Sequence, residues 1–297
     1  MLKSKMRRTI RRLIRWAEGD DKKSRYSYSD PRVFAYSGLN DLFEQIQRDP
    51  ACREHYTWPV LHAAHLAKTI DVGRISVLEL GVAGGSGLIA LERAAALAEV
   101  ELGVGIDVYG FDTGRGLPKP TGPLDMPNLY REGEYPMDVD ALRPRLQSAN
   151  LVLGFVRDTI PEFLASGPAP VGFVSFDLDY YSSTVHALSL FEGPPELALP
   201  RVHCYFDDIM ALTCGDCVGE RLAIREFNEG HAERKISPIY GLKHCVPPKY
   251  ANRTWVEMIF IAHMLDHPLY GAYDGLVKGS DTDLQATDAP GTLHRHG

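Results

Sequence analysis

The chain has 297 residues, 44% of them hydrophobic, and a formal net charge of −7. That length supports one large α/β domain with a buried core, and the acidic balance argues against a nucleic-acid binder. No run approaches the ~18 apolar residues of a membrane span, no secretory apolar segment follows the first residues, and five cysteines, an odd number, point to reduced thiols in a cytoplasmic protein.

Residues 1–37 read as a basic arm. Lys3, Lys5, Arg7, Arg8, Arg11, Arg12 and Arg15 fall within the first sixteen residues, which hold no acid, and Met6, Ile10, Leu13 and Ala17 recur at helical spacing. Such a helix can lie on an anionic membrane surface, but a solvated helix or arm is the simpler expectation. A single domain is expected over 38–277. It opens with helices near 39–48 and 57–70, the second carrying Pro59 in its first turn above a broad apolar face.

Strands and helices then alternate. Strands are expected at Val77–Leu80, Val104–Phe111, Leu151–Val156, Gly172–Phe176 and Arg201–Phe206, with helices at Leu88–Ala98 and Glu220–Asn228. A last pair of strands, near Ile236–Ile239 and Trp255–Met264, has no helix between its members. The pattern predicts an α/β fold: a seven-stranded, mostly parallel sheet with helices on both faces and one antiparallel hairpin at an edge. Residues 113–140, rich in Gly and Pro, read as a lid-like loop, and residues 278–297 as a flexible tail.

The first strand runs into Glu79-Leu80-Gly81-Val82-Ala83-Gly84-Gly85-Ser86-Gly87. Glycines between a strand and a helix let backbone approach a ligand closely, as at nucleotide sites. NAD enzymes use a similar turn, but the spacing departs from Gly-x-Gly-x-x-Gly. Glu79 also places a carboxylate near the turn, which suits the ammonium and sulfonium of S-adenosylmethionine better than a pyrophosphate. Asp112, ending the second strand, is expected at the ribose hydroxyls, with Asp107 the competing candidate.

The fourth strand ends in Asp177-Leu178-Asp179 and the fifth in Asp207-Asp208. Neighbouring parallel strands would bring four carboxylates to one crevice, where a divalent cation (Mg²⁺, with Mn²⁺ or Ca²⁺ as alternatives) would relieve their repulsion. Asp also serves as a helix cap and turn former, but two acid pairs after two apolar strands favour a metal site. The assignment is Asp177, Asp207 and Asp208 on the metal and Asp179 as general base toward a hydroxyl.

Together with Gly110-Phe111-Asp112-Thr113, Gly116-Leu117-Pro118, Asp158-Thr159-Ile160-Pro161 and Tyr180-Tyr181-Ser182-Ser183-Thr184, these motifs resemble the macrocin O-methyltransferase (TylF-like) family over roughly residues 75–230. The resemblance implies a Rossmann-like class I methyltransferase fold and methylation of a hydroxyl on a small molecule, a sugar or natural product, with S-adenosylmethionine and Mg²⁺. It implies cofactor contacts at Glu79, Gly81, Gly84, Gly85, Ser86, Asp112, Asp158 (toward the adenine) and Asp177. It puts the metal on Asp177, Asp207 and Asp208. The turn after Gly81 is about one residue shorter than the family's usual form. Two other functions stay open: a metal-binding hydroxylase-like or NAD-linked enzyme on the same fold, and a non-catalytic cofactor-binding partner subunit. A homo-oligomer is compatible with the sequence.

Cys214-Gly215-Asp216-Cys217 has the spacing of half a zinc site, with His203, His244 or Cys245 as completing ligands, but two ordinary thiols are the simpler expectation. His186 and His203 are expected to pack or cap. Tyr180 and Tyr181 are expected in the core rather than on the acceptor.

Overall fold

The computed structural model describes residues 37–272; the expected basic arm and the expected tail at 278–297 lie outside the described residues. Helices α1 (Ser37–Ile46) and α2 (Glu54–Thr69) precede strand β1 (Arg74–Leu80). There follow α3 (Ser86–Leu102), β2 (Gly105–Asp112), the four-residue α4 (Val139–Leu142), β3 (Asn150–Leu153), α5 (Val156–Ala165) and β4 (Val171–Phe176). The remainder is α6 (Tyr181–Leu188), β5 (Ala198–Phe206), α7 (Gly219–Gly230), β6 (Arg234–Pro238) and β7 (Ile259–Met264).

The seven strands form one sheet in the order β3-β2-β1-β4-β5-β7-β6. Strands β1 to β5 run parallel, and β7 is antiparallel to both β5 and β6. This is the doubly wound, Rossmann-like arrangement expected from the alternation of strands and helices, with β6 as the antiparallel edge. Strands covered on both faces need apolar residues at nearly every position. All of β4 is buried, as is β1 apart from Arg74. Phe176 and Phe206, paired in register at the ends of β4 and β5, stack with ring centroids 4.5 Å apart. Each ring buried in this way contributes about 1.5–3 kcal/mol.

Three expectations are corrected. β3 ends at Leu153 and Val156 begins a helix, because Gly154 turns the backbone to φ 149° and ends the strand. β7 begins at Ile259, since Thr254–Glu257 forms a 3₁₀ turn that pairs with nothing in the sheet. Helices α5 and α6 went unread: Pro161 interrupts the helical signal of the first, and the second opens in a Tyr-Ser-Ser-Thr run that resembles a turn. Among the described residues no helix is long and apolar enough to cross a membrane.

Candidate active site

The chain leaves β1 in one direction to form β2 and β3 and in the other to form β4 and β5, so the crevice at the carboxyl ends of β1 and β4 is a topological switch point. A cavity of about 410 Å³ opens there. Gly81, Ala83 and Asp112 line it together with Asp177, Leu178, Asp179, Asp207 and Asp208; Phe155 and Val156 add apolar surface, and Tyr130 and Tyr135 reach in from the 113–140 loop.

Close packing explains the glycine turn. Gly81 has φ 91°, and a Cβ there would stand 1.8 Å from the carbonyl oxygen of Asp177. Only glycine lets β1 end against β4 in this way. Gly87 opens α3 so closely over Glu79 that a Cβ would lie 1.9 Å from Oε1. Asp112 ties the turn down: its Oδ2 accepts the N–H groups of Val82 (2.9 Å) and Ala83 (3.0 Å), and its Oδ1 that of Gly114 (2.6 Å). Asp107 instead pairs with Arg74 at 2.6 Å, away from the cavity wall.

Glu79 lies behind the turn rather than on the cavity wall. Its Oε1 accepts the Tyr56 hydroxyl at 2.6 Å, while Oε2 is buried without a partner. Burial pushes its pKa up to about 8. Gly84, Gly85 and Ser86 are also off the wall, and Ser86 Oγ accepts a hydrogen bond from Arg53 at 2.7 Å. Asp158 is exposed on the first turn of α5 beside Arg157 (3.4 Å), and Phe155 and Val156 face the cavity in its place.

The acids do converge. Asp177, Asp179 and Asp208 offer carboxylate oxygens that all lie within 4.8 Å of one another. Asp207 lines the same cavity but stands outside that trio, its Oδ1 accepting the Tyr205 hydroxyl at 2.5 Å. Asp208 is held on three sides: Tyr130 donates to its Oδ1 (2.7 Å), the Asp179 N–H to its Oδ2 (2.8 Å), and its own N–H donates to Glu220 (3.0 Å). Asp179 sits in left-handed backbone at φ 60°, a conformation costly for a non-glycine and found preferentially at functional sites. Burial, reinforced by the neighbouring carboxylates, raises Asp177 well above the usual range, Asp179 to about 8 and Asp208 to about 6. A buried anionic cluster with no basic side chain on its cavity wall is suited to a hard, oxygen-seeking cation.

Sequence reasoning missed four participants. Glu220, fully buried at the start of α7, carries a second orphaned carboxylate oxygen behind Asp208. Its only signal was an acid opening the helix after Asp207-Asp208. Tyr130, Tyr135 and Phe155 come from segments without periodicity, where nothing marks which side chain turns inward. Tyr180 is fully buried, and Tyr181 donates to Glu226 at 2.6 Å. His203 packs edge-on to Trp58 with centroids 5.7 Å apart. Cys214 and Cys217 are free thiols, the former donating to the Asp208 carbonyl, and no metal-ligating group forms around them among the described residues.

No protein-family model matches the chain, and no curated protein does. Solved structures do. The calicheamicin methyltransferase CalS11 aligns at 24% identity over 72% of this chain and 90% of its own, with a TM-score of 0.46. The O-methyltransferase NovP aligns at 14% identity over 79% and 99%, with a TM-score of 0.44. The O-methyltransferase TomG from Streptomyces achromogenes, solved with S-adenosylmethionine, aligns at 15% identity over 77% and 89%, with a TM-score of 0.36.

Proposed function

We propose that the chain transfers a methyl group from S-adenosylmethionine to a hydroxyl of a small molecule, a sugar or natural product, at a site that holds a divalent cation. One observation carries this: a single cavity joins the glycine turn and Asp112 to the carboxylates of β4 and β5. Its volume suits a cofactor-sized ligand. A wall with five carboxylates and no basic side chain favours a positively charged sulfonium over a pyrophosphate.

A divalent cation bound at these acids would offset their repulsion and lower the pKa of a hydroxyl placed against it. Asp177 and Asp208 would be its ligands. We adopt Asp207 as the third, which would leave Asp179 to accept the hydroxyl proton, with proximity inside the cavity supplying much of the gain. The 4.8 Å trio favours a second assignment, with Asp179 itself as the third ligand.

Calorimetry with S-adenosylhomocysteine and with Mn²⁺ tests both levels. Wild-type chain should bind each, and Asp177→Asn should lose Mn²⁺ and methyl transfer while staying folded. Absent S-adenosylhomocysteine binding, with or without cation, sinks the proposal. Of Asp207→Asn and Asp179→Asn, the one that loses Mn²⁺ identifies the third ligand.

A further inference from the structure

We propose that Tyr130 is a positioning residue of the cation site, linking the 113–140 loop to Asp208; this rests on the cation-site proposal above. The hydroxyl of Tyr130 donates to Asp208 Oδ1 at 2.7 Å, and its ring meets the fully buried Tyr180 edge-on at 6.3 Å. Among the described residues it is the one hydrogen bond to the Asp208 carboxylate that comes from the loop; the other comes from the backbone N–H of Asp179.

The loop delivers Tyr130 through three anchors. Asp125 is fully buried and accepts from the backbone and hydroxyl of Thr121 (both 2.7 Å) and of Ser182 (2.8 and 3.0 Å), which fixes the loop to the start of α6. Met126 packs over Gly219, where a Cβ would stand 2.6 Å from its terminal methyl. Asn128 donates to Thr213 at 3.2 Å, just beyond the Asp207-Asp208 pair. Residues 121–130 are thus strapped to the elements that carry the acids. The strap ends on a carboxylate oxygen.

Partners that orient a metal ligand from behind are typically worth 10–100-fold in metal affinity. Linkage then works both ways, and cation binding steadies the loop as the loop steadies the site. A purely structural tyrosine would close the loop without affecting the cation.

The test is Mn²⁺ titration of the full chain, by calorimetry or by the spin-resonance signal of free Mn²⁺, in wild type and Tyr130→Phe. The variant keeps the ring on Tyr180 and removes one hydroxyl. Expected are Mn²⁺ binding at least tenfold weaker in a variant that keeps the wild-type circular dichroism, and protection of the 113–140 loop from limited proteolysis by Mn²⁺ in wild type but not in the variant. Mn²⁺ affinity equal to or tighter than wild type in Tyr130→Phe, or equal protection in both proteins, would overturn the inference while leaving the methyltransferase proposal standing. No Mn²⁺ uptake by wild type would instead overturn the cation site and this inference together.

Discussion

Glu79 shows what one buried acid does to pH dependence. Folded, it holds its proton up to about pH 8 because burial disfavours the anion; unfolded, a glutamate releases it near pH ~4.3. Between those values the folded chain binds the extra proton. The contribution of this group to stability is therefore full below pH ~4.3 and is lost as pH rises through 8. Glu79→Gln imitates the protonated acid and should flatten that decline. Urea unfolding at pH 5 and pH 8.5 is the measurement, and a variant with the wild-type pH slope would refute the account. The residue was legible as an acid beside a turn. Its tie to Tyr56, and its position behind the cavity wall, depend on α2 crossing the sheet, which no local pattern encodes.

Among the elements, the turn between β1 and α3 is the least tolerant. At Gly81 an alanine adds ~1–3 kcal/mol of left-handed strain to a Cβ 1.8 Å from the Asp177 carbonyl. Gly81→Ala should cost at least ~3 kcal/mol in denaturant unfolding. Gly84 has open space where its Cβ would go, so Gly84→Ala should cost under ~1 kcal/mol; similar losses at both positions would disprove the packing argument. The strands were legible because burial on two faces demands continuous apolar runs, and β1, β4 and β5 satisfy that demand. Helices α5 and α6 were not, because they are short, one holds a proline, and their stability comes from packing rather than propensity.

At the scale of the whole molecule, the raised carboxylates all act in one direction. Asp177, Asp179, Asp208 and Glu220 each favour the protonated form in the folded, cation-free chain. Asp208 gives up its contribution by about pH 6, whereas Asp179, raised to about 8, and Asp177 and Glu220, raised well above their ordinary values, lose theirs beyond it, so thermal stability without cation should fall between pH 6 and pH 8.5. A Mg²⁺ ion held as proposed would bind the ionised cluster, so its stabilising effect should grow over the same interval. A melting temperature that Mg²⁺ raises equally at both pH values would contradict this. That acids would gather at one sheet edge was legible from two acid pairs following two apolar strands. Which three lie closest was not, because that depends on Tyr205 drawing Asp207 aside and on Tyr130 holding Asp208.

The in-register pairing of Phe176 with Phe206 has a consequence for how such a site persists. Asp177 and Asp207 each follow those partners directly, so their backbones are set apart by the interstrand spacing of about 4.8 Å that peptide hydrogen bonding imposes on any sheet. The sheet acts as a ruler, and no side chain has to be selected to set the gauge. Loops beyond the ruler, including residues 113–140 and the stretch after Asp208, can be rewritten to admit a different guest without altering the separation at which the two acids emerge.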